Sequence, residues 1–245
     1  MTIKNILITG GNSRFCRFLK RELKNHKTYF TKKSQFNILK LNQMERFVKK
    51  KKINYLIHIA GLSRPMAIHD QNISKSIDLN IIGTANIVKL SQKFKFKLIY
   101  FSTNYVYPGT KGKYKENDPI LPVNNYAWSK LGGESSVRMY KNSLILRIAM
   151  TDYPFIHTKA IKGAYSSFIY NKTVSKILPY LINEKGIINI GGKRRDIFNF
   201  AKKFANSKIQ PLNLNKVKNF PKDSSLNINK LMNILKKFKL KKIII

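Results

Sequence analysis

Short apolar runs alternate along the chain with longer stretches in which apolar residues recur every three or four positions. The runs Ile6–Thr9, Lys27–Phe30, Tyr55–Ile59, Lys97–Ser102, Leu144–Arg147 and Ile187–Ile190 read as strands. Several are apolar on both faces, as strands buried in a parallel sheet are. Helical periodicity lies near 14–25, 42–51, 71–94, 125–141, 173–183 and 195–205. Strand and helix in strict alternation predict an α/β fold with a doubly wound parallel sheet. Residues 1–150 carry most of this pattern, and residues 151–245 read as a smaller C-terminal lobe whose strand Ile187–Ile190 returns to the sheet.

Composition narrows the class. A chain of 245 residues, 43% hydrophobic and 11% aromatic, has the apolar surface to fold as one large domain with a small appendage, which excludes wholesale disorder. The 48 Lys and Arg against 11 Asp and Glu leave a net charge of +37. Such a field attracts nucleic acid, anionic membrane or phosphorylated small molecules. The lysines are dispersed through patterned elements and no nucleic-acid motif is present, so no specific nucleic-acid partner is expected. The single cysteine, Cys16, allows no internal disulfide, and with 4 scattered histidines no metal cluster is expected. No apolar run approaches the roughly 18–20 residues of a membrane span, and the N-terminus lacks a signal-peptide pattern, so a cytoplasmic location is expected. The basic, apolar-ended tail 236–245 is expected to pack or fray rather than to contact a membrane.

In doubly wound sheets ligands bind beyond the carboxyl ends of the strands. The first strand runs into Thr9-Gly-Gly-Asn-Ser-Arg-Phe-Cys16, where a dinucleotide-binding turn belongs, and Gly10, Asn12, Ser13, Arg14 and Phe15 are its candidate contacts. Against a Gly-x-x-Gly-x-x-Gly spacing, Ser13 and Cys16 stand in the second and third glycine places. After the second strand, Lys32 and Lys33 replace the acid that would hold a free ribose 2′-hydroxyl, which favours NADP over NAD; ordinary solvated lysines are an equal reading. The small residues Ala60 and Gly61 leave room for a cofactor at the third strand's end, and His58 is assigned no chemical role.

The more specific signal is Tyr126-Ala-Trp-Ser-Lys130. Residues four apart share a helix face, so phenol and ammonium point to one ligand. A cation beside a phenol whose pKa is ordinarily about 10 favours the phenolate and brings proton exchange toward neutral pH. Thr103, at the fourth strand's end, is positioned to bond the same substrate oxygen.

Taken together, Ile6–Gly11, Asp78–Ala85, Ser102–Gly109, Asn125–Glu134, Leu144–Arg147, Ile188–Gly192 and Pro221–Leu231 resemble an extended short-chain dehydrogenase/reductase of the dTDP-4-dehydrorhamnose reductase-like branch. The resemblance implies a Rossmann-type sheet over residues 1–150 and a shortened substrate-side lobe over 151–245. It implies NADP, with NADPH preferred over NADH, and a nucleotide-linked 4-keto-6-deoxy sugar reduced, or reduced and epimerised, in surface polysaccharide synthesis. Thr103, Tyr126 and Lys130 would be the catalytic group, with Tyr126, Lys130 and the helix residue Asn80 also at the cofactor. Thr103, Asn104 and Tyr105 would face the sugar, and a homodimer is among the expected assemblies. The departures are Ser13, Cys16, Asn37 and Asn104, at positions where the family carries glycines and acids, and a short segment after Arg147. They keep open an alternative: a catalytically idle, NADP-binding regulatory or scaffolding subunit of the same fold.

Overall fold

The structure, a computed structural model, describes residues 3–205 and 208–244. Its elements in chain order are β1 (Asn5–Thr9), α1 (Arg14–Glu22), β2 (Lys27–Phe30), α2 (Leu41–Lys49), β3 (Tyr55–His58), α3 (Ile68–Gln71), α4 (Ile73–Ser76), a π-helical segment (Ile77–Ile82), α5 (Gly83–Phe94), β4 (Lys97–Thr103), α6 (Asn125–Arg138) and β5 (Ser143–Ile148). There follow β6 (Met150–Thr151), β7 (Lys159–Lys162), β8 (Tyr165–Ser166), β9 (Ile169–Tyr170), α7 (Asn171–Leu181), β10 (Gly186–Ile190), β11 (Arg195–Asp196), α8 (Ile197–Phe204), β12 (Gln210–Asn213) and α9 (Asn229–Lys237).

The six-stranded parallel sheet has the order β10-β5-β4-β3-β1-β2. β1 lies in parallel register with β2 on one side and β3 on the other, Ile6 facing Thr28 and Tyr55. The strand order therefore reverses between β1 and β3, and the crevice beyond their carboxyl ends is where such sheets receive ligands. β4 and β5 are buried along their whole length, which explains why they read as unbroken apolar runs.

The chain divides into two compact units: Met1–Ser102 with Trp128–Leu146 and Ile182–Ile187, and Thr103–Ala127 with Arg147–Leu181 and Ile188–Ile245. In the first unit, Leu7, Leu56, Leu98 and Tyr100 of the sheet pack with Met44, Val48, Ile87 and Leu90 of α2 and α5. In the second, Ile197, Phe200 and Ala201 of α8 pack with Phe155, Ala160 and Ala164. The second unit also holds a buried polar network. Arg147, 0% exposed, donates to Tyr107 Oη at 2.7 Å and to the Glu116 carbonyl at 3.1 Å, and Tyr107 donates to Asn189 Oδ1 at 2.9 Å.

Two sequence expectations are corrected. The helix expected over 71–94 begins at Ile73, where the Asn72 side chain accepts the Lys75 amide at 2.9 Å, and runs unbroken to Phe94 through the π segment; the short α3 before Asn72 is separate. In addition, α9 was not anticipated: Leu231, Ile234 and Leu235 are buried along one of its faces. Beyond α9, Phe238 meets Tyr180 at 5.0 Å and Ile244 is buried, so apolar tail residues pack on the protein; Ile245 lies outside the described residues. Among the described residues no helix is long and apolar enough to cross a membrane.

Candidate active site

The turn after β1 is shaped by Gly10. Its φ of +70° is left-handed, and a Cβ there would stand 3.1 Å from the Ala60 amide nitrogen at the end of β3. Ser13 is the N-cap of α1: its extended backbone and its hydroxyl, which accepts the Cys16 amide at 3.4 Å, close the helix start. The serine in the second glycine place thus acts as a cap, while the other first-turn amides lack intrahelical partners, as at any helix N-terminus. Cys16 is buried and donates to the Gly10 carbonyl at 3.5 Å, and burial pushes its thiol pKa up. Asn12 and Arg14 are exposed at this turn, whereas Phe15 is buried with its ring 5.2 Å from that of Phe101. Phe15 can therefore offer a ligand its backbone amide but not its side chain. Lys32 is exposed, and its amide donates to Gln35 Oε1 at 3.2 Å. The preceding Thr31 ties this loop to the turn by accepting the Gly11 amide at 2.9 Å.

His58 is fully buried between two threonines. Thr9 Oγ1 accepts the Ile59 and Ala60 amides at 3.1 and 3.0 Å, which leaves its proton for His58 Nδ1 at 2.9 Å. The ring's proton is then on Nε2, donated to Thr84 Oγ1 at 3.1 Å. Burial, with the charge of Lys130 adding to it, drives this imidazole down to about 3, so it is neutral at physiological pH. Lys130 is 8% exposed, with its ammonium 4.4 Å from the centre of the Tyr100 ring. Burial lowers its pKa to about 7 against the upward pull of Glu134. Glu134, one turn along α6, accepts from Ser102 Oγ at 2.6 Å and pairs with Arg138 at 3.0 Å.

Asn80, on the π segment, is a clamp. Its Oδ1 accepts the Leu62 amide at 2.7 Å and its Nδ2 donates to the Leu62 carbonyl and to Ser129 Oγ, each at 2.8 Å. One carboxamide thus ties the Ala60–Gly61 loop to the helix residue next to Lys130. Gly61 is required by this arrangement, since a Cβ there would meet Asn80 Oδ1 at 2.7 Å.

In the second unit, Thr103 is buried at the end of β4, and its hydroxyl accepts the Tyr105 amide at 3.3 Å. Asn104 is also buried and donates to the Ser224 carbonyl at 3.0 Å, so this side chain anchors the 221–226 segment. The Tyr105 ring stands edge-on to Tyr126 at 6.4 Å and to Phe220 at 5.8 Å. Asn124 caps α6 by accepting the Ala127 amide at 2.9 Å, which fixes Tyr126 in the helix's first turn, and the same continuous helix carries Lys130 one turn on. The sequence reading did not single out Thr9, Thr84 or Ser129 as site residues. Only the positions of Thr9 at a strand end and Ser129 beside Lys130 hinted at them.

This sheet, its glycine turn and the Tyr/Lys helix define an extended short-chain dehydrogenase/reductase. The profile described as the RmlD substrate binding domain matches residues 4–151, and the chain belongs to that family. The beta subunit of methionine adenosyltransferase 2 from Pongo abelii is 27% identical over 143 residues, covering 55% of this chain and 42% of that protein. dTDP-D-glucose 4,6-dehydratase from Dictyostelium discoideum is 28% identical over 224 residues, covering 75% of this chain and 49% of that protein. The chain thus spans about half the length of these curated relatives. The crystal structure of dTDP-4-dehydrorhamnose reductase from Bacillus anthracis in complex with NADP superposes with a TM-score of 0.83 at 22% identity, covering 98% of this chain and 100% of that one.

Proposed function

We propose that the protein is an NADP-dependent reductase, or reductase/epimerase, of a nucleotide-linked 4-keto-6-deoxy sugar used in surface polysaccharide synthesis. In this reading residues 1–150 hold the cofactor, residues 151–245 complete the sugar side, and the protein works in the cytoplasm. The observation that carries it is a buried Lys130 one helical turn from Tyr126, on a helix braced through Ser129 by Asn80. The turn residues fit a dinucleotide: Gly10 has the left-handed backbone, Ser13 caps the helix, and the exposed Arg14 and Lys32 supply cations for phosphate. The NADP complex of the Bacillus anthracis reductase is in keeping with this cofactor.

When bound, NADPH supplies the hydride. Thr103 orients the ketone by donating its hydroxyl proton to the carbonyl oxygen, and Tyr126 donates the proton that the developing alkoxide takes up. Lys130 in its charged form favours the phenolate left behind and holds the cofactor ribose. His58, neutral and locked between Thr9 and Thr84, adds no competing positive charge beside Lys130. Asn104 and Tyr105 shape the sugar side, Asn104 by anchoring Ser224 and Tyr105 through its ring. The test is Tyr126→Phe, assayed with NADPH and 4-keto nucleotide sugars. Turnover should fall at least about 100-fold while NADPH binding persists; full turnover by the variant overturns the proposal.

A second reading, a cofactor-binding regulatory subunit, is favoured by the similarity to the beta subunit of methionine adenosyltransferase 2 and by the serine and cysteine in the glycine turn. Saturable NADPH binding without turnover of any 4-keto nucleotide sugar would support it, and turnover would exclude it.

A further inference from the structure

At the amino-terminal ends of β1, β3 and β4, opposite to the Gly10 turn, the first unit carries a cavity of about 700 Å³. Its cations are Lys4, Lys95, Lys97 and Lys185, with Tyr55 and Asn183 between them. We propose that this cavity binds a small polyphosphate, of the kind carried by nucleoside di- and triphosphates, as a site separate from the Gly10 turn.

The central observation is Lys97. It opens β4, is only 7% exposed, and its buried ammonium has no hydrogen-bond partner among the described residues. A buried ammonium without a partner is costly, and structures that keep one ordinarily pair it with an anion. The neighbouring charges increase that cost: Lys185 pushes the Lys97 pKa down, burial does so more strongly, and together, against Glu184, they bring it to about 8. A carboxylate would answer one of these cations, whereas a polyphosphate presents several charged oxygens to all of them. Of the other cations, Lys4 is held by side-chain hydrogen bonds. Lys4 donates to Tyr55 Oη at 2.7 Å and to Asn183 Oδ1 at 2.9 Å, and Tyr55 in turn donates to the same Asn183 oxygen at 2.8 Å. Lys95 occupies the left-handed C-cap of α5, at φ +58°, a place usually taken by glycine. Ile53 and Phe94 give the cavity apolar wall, which suits a nucleoside ring beside the phosphates.

The test is calorimetric titration of the full chain with inorganic tripolyphosphate at about 0.15 M salt, where dispersed surface charge is screened beyond about 8 Å. A saturable site that depends on Lys97 is expected, beside any binding at the Gly10 turn. Lys97→Met and Lys185→Met should each weaken it at least about ten-fold, while Lys49→Met, an exposed charge on α2, and Arg14→Met, at the Gly10 turn, leave it unchanged. Should Lys97→Met fail to fold, the double variant of the exposed Lys95 and Lys185 to Met carries the same expectation. At pH 8 the wild type should take up protons on binding, because the anion raises the Lys97 pKa, and Lys97→Met should not. No saturable binding, equal loss in Lys49→Met, or loss in Arg14→Met with retention in Lys97→Met would overturn the proposal. Tighter binding of ADP than of inorganic pyrophosphate, lost with Lys97→Met, would identify a nucleotide as occupant, and equal binding a free polyphosphate. Dependence on Lys97 and not on Arg14 separates either result from binding at the Gly10 turn.

Discussion

Asn80 donates to Ser129 Oγ at 2.8 Å, so the π segment is fastened to α6 at the residue immediately before Lys130. The same carboxamide makes both hydrogen bonds to the Leu62 backbone. The orientation of the Lys130 helix and the path of the loop after β3 therefore depend on one side chain.

Replacing Asn80 by Ala should cost about 1–3 kcal/mol of stability, the range for removing one partner of buried hydrogen bonds. Leu62 and Ser129 would lose that partner together. Urea melts check the stability loss, and a nicotinamide-fluorescence titration should show NADPH affinity falling with it. A variant as stable as wild type would show that water replaces the clamp.

Gly133 lies where α6 passes close to the π segment. A Cβ there would fall on the Asn80 carbonyl oxygen and stand 2.8 Å from Tyr100 Oη. Gly133→Ala should destabilise by about 1–3 kcal/mol despite the better helix propensity of alanine, because overpacking outweighs propensity here. A stabilised variant in thermal melts would mean that the helices separate freely.

Glu134 is 0% exposed and bonds Ser102 and Arg138. Removing one partner of a buried pair typically costs about 3–5 kcal/mol, but the Arg138 side chain is 41% exposed and can turn to water, so Glu134→Gln should cost less, about 1–3 kcal/mol. Losing the carboxylate should also lower the Lys130 pKa further below about 7. The pH at which activity is lost on the alkaline side should accordingly move down in this variant.

Stability should depend on pH through His58 and Lys130. Both bind protons less tightly when folded, with pKa values of about 3 and about 7 against ordinary values of 6.5 and 10.5. The unfolded chain therefore holds more protons between about pH 3 and 6.5 for His58, and between about 7 and 10.5 for Lys130, and stability rises with pH across each window. Below each window the penalty for charging the buried group is present in full, on the order of a few kcal/mol. Chemical melts from pH 6 to 10 should show a rise that is flattened in Lys130→Met, and a parallel rise in that variant would assign the effect elsewhere.

The strand runs were readable because a buried parallel strand is apolar on both faces over a few residues, and β2 at Lys27–Phe30 coincides with its expected bounds. The helix expected over 71–94 was readable except at its start, because apolar periodicity continues through Asn72, whose capping bond is a matter of three residues rather than of pattern, and the π widening inside it left no mark on the pattern. α9 escaped because a short amphipathic segment rich in lysine is held by burying one face, which propensity alone does not report. At the candidate site, Tyr126, Lys130 and Thr103 stood out as a spacing, whereas for His58 the sequence said only that no chemical role was assigned to it. Its proton position and its neutrality follow from Thr9, Thr84 and burial, none of which lies next to it in the chain.

The order of strands and helices, the glycine turn and the placing of a phenol and an ammonium one helical turn apart were determined by the sequence itself, since each depends on residues only a few positions apart. The tertiary structure alone decided that Ser13 serves as a cap, that Asn80 clamps Ser129 from 49 residues away, and that Lys130 is buried deeply enough to titrate near 7. It also decided that, among the described residues, the Lys97 ammonium is buried without a hydrogen-bond partner. Desolvation and hydrogen-bond partnership depend on what surrounds a group in space, and chain-local pattern carries no record of that.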